Sequence, residues 1–97
     1  MMIAKYMTSS GVVLAEPFWY LGCILIREDK TKEAMVTART GLTNAGAPIW
    51  KYTLGETDDR SIRLMRDSDD AVLMEGGVYA EIAPDTTFIV YYRPLGA

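Results

Sequence analysis

The run Pro17-Phe18-Trp19-Tyr20-Leu21-Gly22-Cys23-Ile24-Leu25-Ile26-Arg27 decides which kind of fold this chain takes. A membrane-spanning helix needs about 20 apolar residues, and this run is roughly half that length and holds a proline and a glycine. Aromatic and β-branched side chains dominate it, so it reads as a buried strand. Alternation places Phe18, Tyr20, Ile24 and Ile26 on one face and Trp19, Leu21, Cys23 and Leu25 on the other. Both faces are apolar, so neither can be left to water. Gly22 marks a bend or a close approach of another backbone.

Working outward, short segments rich in Val, Ile, Thr and aromatics recur between Gly, Pro, Asp and Asn, the pattern of an all-β chain. Strands are expected near residues 2–8 and 12–16, with Pro17 marking an edge, a bulge or a change of sheet. The charged run Glu28-Asp29-Lys30-Thr31-Lys32-Glu33 is a hairpin tip. After it Val36 and Ala38 face the core opposite Thr37 and Arg39, and Trp50, Tyr52 and Leu54 oppose Lys51 and Thr53. Ile62 and Leu64 point away from Ser61, Arg63 and Met65, the run 67–70 turns the chain, and strands near 78–82 and 87–93 flank the Pro84-Asp85 turn. The expected fold is a single domain over residues 1–97, an antiparallel, jelly-roll-like β-sandwich of eight to nine short strands. Its expected core is Phe18, Tyr20, Ile24, Ile26, Val36, Trp50, Tyr52, Ile62, Leu64, Val78, Ile82 and Val90.

The composition excludes more than it assigns. With 97 residues there is room for one core, and with no histidine the chain lacks the side chain most used for acid–base work and metal ligation near neutral pH. A single cysteine, Cys23, supports neither an intrachain disulfide nor a thiolate zinc site and reads as a small buried hydrophobe. The acidic side chains Glu56, Asp58, Asp59, Asp67, Asp69 and Asp70 are hard oxygen ligands, yet their spacing fits no calcium loop and suits β-turns. Asp58 and Asp59, being adjacent, face different ways and do not form a glycosidase pair. No enzyme activity, cofactor or metal is expected. A net charge of −3 has the wrong sign for binding nucleic acid, and neither a signal peptide nor a membrane span is expected.

Trp19, Tyr79, Tyr91 and Tyr92 are the aromatics left over for an interface or a glycan-stacking platform. Surplus apolar surface in residues 17–26 and 88–92 predicts a homo-oligomer, since one small sandwich covers one face of each sheet.

Several segments together resemble a family of small virion-associated proteins of tailed bacteriophages and uncultured phage-like genomes. They are the opening strand and turn Lys5-Tyr6-Met7-Thr8-Ser9-Ser10-Gly11, the apolar run 17–26, and the turn Thr40-Gly41-Leu42-Thr43-Asn44-Ala45-Gly46. The Gly-led strand Gly77-Val78-Tyr79-Ala80-Glu81-Ile82 and the closing strand Thr87-Phe88-Ile89-Val90-Tyr91-Tyr92 complete the pattern. The resemblance implies a non-enzymatic structural part of a phage-like particle, a head-decoration, head-fibre or tail-associated protein. It would be made in the host cytoplasm, located in the virion, and assembled as a homo-oligomer, a trimer being favoured, with other virion proteins as further partners. The alternative is a carbohydrate-binding or adhesive β-module.

Overall fold

The computed structural model describes residues 2–95, so residues 1, 96 and 97 of the expected domain lie outside the described residues. The strands are β1 (Ile3–Met7), β2 (Gly11–Leu14), β3 (Phe18–Arg27), β4 (Ala34–Thr40) and β5 (Pro48–Leu54). They continue as β6 (Ser61–Met65), β7 (Val72–Met74), β8 (Val78–Ile82) and β9 (Thr86–Pro94), with one 3-10 turn at Ser68–Asp70. One sheet runs β1-β9-β3-β6, with β7 also pairing β3 beyond the end of β6, and the other runs β2-β8-β4-β5. Every pairing is antiparallel, and the two sheets pack face to face as a β-sandwich.

Local chemistry sets the turns. At the β3–β4 tip the Asp29 carboxylate accepts hydrogen bonds from the Thr31 backbone N–H (2.9 Å) and hydroxyl (2.7 Å), which closes the hairpin without apolar contact. Asp85 takes the left-handed φ of 58° that the β8–β9 turn requires.

The core is built unequally. The five-stranded sheet supplies bulky side chains, among them Phe18, Leu25, Phe88 and Val90, while the four-stranded sheet supplies Ala34, Ala38 and Ala80 beside Val13, Val36 and Val78. Large against small lets two twisted layers interdigitate at close packing.

Gly22 reverses the expected alternation of β3. Tyr20 opposes Tyr92 on β9, but Gly22 opposes Tyr91, so Leu21 is an extra residue in a β-bulge. Downstream of it Cys23, Leu25 and Arg27 face the core, and Ile24 and Ile26 are turned out, half-buried rather than in the core. Gly22 holds φ +141°, and a Cβ there would stand 2.5 Å from the Leu64 carbonyl oxygen, so only glycine fits. Ile62 also departs from expectation: it faces inward from the edge strand β6 and stays 37% exposed. Phe18, Tyr20, Val36, Val78, Ile82 and Val90 are buried as expected, and Trp50, Tyr52 and Leu64 pack against them half-buried.

The two sides of the sandwich close differently. Between β1 and β2, Lys5 Nζ donates to the carbonyls of Val12 (3.2 Å) and Val13 (2.8 Å), and Ser10 Oγ accepts from Ile82 N–H (2.8 Å). Across the molecule, the buried Arg27 guanidinium donates to the carbonyls of Lys30 and Asp58, tying the β3–β4 tip to the β5–β6 loop. Between those tied ends, β5 and the β6–β7 edge face each other across a groove lined by both.

Candidate functional site

The outward face of the five-stranded sheet follows from register, because directly opposed residues in an antiparallel pair share a face. One row crosses Tyr6 on β1, Ile89 on β9, Ile24 on β3 and Arg63 on β6. The next crosses Ala4, Tyr91, Gly22 and Met65, and a third places Arg93, Trp19 and Leu73 side by side. Thr87, Ile26 and Ser61 complete the face. Tyr6 is 70% exposed, whereas Ile89 in the middle is 5% exposed, covered by its own neighbours. The Arg93 guanidinium lies 5.8 Å from the Trp19 ring centroid, a cation–π contact at the rim of the patch.

This face carries the cations Arg63 and Arg93, and a carboxylate reaches it at its end, where Thr87 Oγ1 donates to Glu28 at 2.8 Å. The apolar side chains of the face include Tyr6 and Leu73, exposed, and Trp19, Ile24, Ile26, Met65 and Tyr91, half-buried. The bulge contributes directly, because it turns Ile24 and Ile26 outward.

Of the four aromatics expected at an interface or glycan platform, the structure brings two together. Trp19 and Tyr91 share this face. Tyr92 points the other way, into the core, with its ring edge-on to Phe18 at 5.7 Å and 72°. Tyr79 lies on the opposite sheet, beside Arg39. Tyr6 is the aromatic that sequence reading missed, and its alternation with the inward Lys5 and Met7 was the signal available.

Inside the sandwich, burial pushes the Cys23 thiol up, away from the reactive thiolate form. Burial likewise pushes the Tyr20 phenol up; Cys23 and the Tyr52 hydroxyl lie beside it without completing a hydrogen bond. Asp58 is spent on turn geometry, its Oδ2 accepting from Gly55 N–H at 2.7 Å. Among the described residues no three acidic or cysteine side chains are grouped to hold a metal ion, and no helix is long and apolar enough to cross a membrane.

Comparison of the chain with protein-family models, with curated proteins and with solved structures finds no match.

Proposed function

We propose that the protein is a non-enzymatic structural subunit of a phage-like particle that works by homo-oligomeric assembly through the outward face of its five-stranded sheet. The observation that carries this reading is that face: rows of Tyr6, Ile89 and Ile24 and of Trp19 and Leu73, edged by arginine and met by a carboxylate, Glu28, at the Thr87 end. A second copy covers such a surface without further sequence, and a chain of this size gains stability from the added burial.

Charge favours a closed ring over a two-fold pair. Arg63 and Arg93 form no ion pair within the described chain, and a two-fold contact of this face with itself brings like charges near each other. A head-to-tail contact instead lets them meet the acidic loops around Asp58 and Asp69 of a neighbour, and a trimer is the smallest ring that does so. The virion setting is supported by the resemblance of segments and by strand order. Counting β6 and β7 as one strand interrupted at residues 66–71, we read the order as 1-8-3-6 facing 2-7-4-5, a jelly-roll arrangement of the sort found in viral capsid and lectin domains.

The glycan-binding alternative has its own support, since Trp19, Tyr91 and Tyr6 share a face on which sugar rings can stack. Sedimentation velocity of the purified chain at micromolar concentration separates the two. A discrete trimer or other closed oligomer is expected. A stable monomer that retains ligands on a glycan array overturns the assembly reading.

A further inference from the structure

We infer that the open side of the sandwich, between β5 and the β6–β7 edge, is a docking groove for an extended polypeptide segment. Its partner carries apolar residues at alternate positions and a basic residue at each end. This surface meets the outward sheet face at Leu73 and shares Asp58 with the acidic loops of the proposed ring, but its argument does not rest on the assembly reading.

The groove is built from two edges. β5 ends its sheet with β4 as its sole neighbour, and among the described residues its backbone makes no hydrogen bond to any other segment. Cavities line this side in sequence: about 300 Å³ beside Asp58, Asp59 and Ile62, about 170 Å³ between Trp50 and Val72, and about 350 Å³ beside Leu73 and Glu75. The middle and far cavities are continuous in lining, since both use Ile49 and Met74. On the opposite side of the sandwich Lys5 Nζ reaches across to the Val12 and Val13 carbonyls of the edge strand β2.

Hydrogen-bond chemistry selects the occupant. Tyr20 and Trp50 line the middle cavity; Tyr20 is 4% exposed, and both Tyr20 Oη and Trp50 Nε1 are buried without a partner. Arg66, on the same wall, adds further donors. Buried donors lacking acceptors are rare in folded proteins. Both Tyr20 Oη and Trp50 Nε1 are covered by the wall itself, so what the groove offers a ligand is the Arg66 guanidinium, the unpaired edge of β5 and apolar side chains, and it calls for a ligand with backbone acceptors and donors and apolar side chains. An extended peptide supplies carbonyls at regular intervals, pairs its backbone with the free edge of β5, and sends every second side chain into the sandwich. Charge sets its ends: Asp58 and Asp59 line one end and Glu75 the other, so basic residues belong at the termini of the docked segment. β5 spans seven residues, which matches a segment of the same length.

The test uses the acetylated, amidated heptapeptide Lys-Val-Thr-Phe-Thr-Val-Lys and the full chain carrying Trp19→Phe, so that Trp50 alone reports by fluorescence. A saturable shift of Trp50 emission is expected. Replacing the central Thr-Phe-Thr by Pro-Phe-Pro, which removes backbone donors, should weaken half-saturation at least about tenfold, as should Val72→Glu at the lip of the groove. No shift at about 1 mM peptide, or equal binding of the proline peptide, overturns the proposal. So does a shift produced by mono- or oligosaccharides and not by the peptide.

Discussion

The two outward faces of the sandwich are built on the same backbone geometry and are chemically opposite. On the five-stranded sheet the outward rows are Tyr6, Ile89, Ile24 and Arg63, then Ala4, Tyr91 and Met65. On the four-stranded sheet they are Val12, Tyr79 and Arg39, then Glu81, Thr37 and Lys51, with Arg39 and Glu81 in an ion pair at 3.2 Å. A half-buried surface pair of this sort contributes modest stability, and it satisfies charge locally. The difference teaches that both sheets are complete as core and only one is complete as surface. The inner faces define the fold, and the outer face of the five-stranded sheet carries the apolar rows on which the proposed assembly rests.

The largest test of that division compares neighbours on opposite sides of one sheet. Phe88→Ala should cost about 3 to 5 kcal/mol in chemical denaturation, because Phe88 is fully buried and its removal leaves a cavity. Ile24→Ala should cost about 1 kcal/mol when measured on dilute monomer, since the side chain is half-buried on the outside. Equal losses would mean that the bulge at Gly22 is misplaced and that Ile24 lies in the core.

Next comes the surface itself. Ile24→Asp places a carboxylate at the centre of the apolar rows and should weaken self-association by about thirtyfold or more, read by sedimentation. Thr53→Asp, exposed on the outer face of the four-stranded sheet, should leave association unchanged. The comparison between faces collapses if the two variants behave alike.

Much of this contrast was legible in the residues. Strands β4 and β5 alternate cleanly, so Val36, Ala38, Trp50 and Tyr52 were placed on the inner side and Thr37, Lys51 and Thr53 outside. In β3 and β9 both parities are apolar, which revealed that an extra face needs cover but could not say which residues form it. That choice depends on one inserted residue at Leu21, and a bulge is set by tertiary pairing with Tyr91 and Leu64 rather than by local propensity. Tyr92 illustrates the cost of that ambiguity: an aromatic at the end of an apolar run was assigned to the surface and belongs to the core. Lys5 and Arg27 were missed for another reason, since charged residues read as solvated. In the fold each turns its charge onto backbone carbonyls, of Val12 and Val13 and of Lys30 and Asp58 respectively.

A smaller effect is expected where the sheets are joined rather than faced. Lys5→Met keeps the apolar stem and removes the donors to Val12 and Val13, so it should cost about 1 to 2 kcal/mol. Because Lys5 points inward while Ala4 and Tyr6 point out, association should not change. A loss of association in Lys5→Met without loss of stability would show that β1 matters to the interface in a way the register does not capture.

The smallest effect separates stability from assembly by pH. Asp29 is held below its ordinary value, first by the hydrogen bond from the Thr31 backbone N–H and then by the one from the Thr31 hydroxyl. A carboxylate lowered in the folded state contributes stability that is complete above its unfolded value, about 3.9, and fades as pH falls through the lower folded value. The carboxylate sits at a solvated hairpin tip, so the contribution is slight and confined to acid. Asp29→Asn keeps an oxygen acceptor toward Thr31 and removes the titration, so the stability of the variant should fall less steeply on acidification than that of the parent chain. Association should follow a different course: if Arg63 and Arg93 meet carboxylates of a neighbouring copy, it weakens in the same acid range and Asp29→Asn leaves that weakening intact. An unchanged acid slope of stability in Asp29→Asn would remove the assigned role of the Thr31 hydrogen bonds. An association constant flat through acid would show that the arginine rim meets no carboxylate, and would shift the expected contact from a head-to-tail ring toward one held by the apolar rows alone.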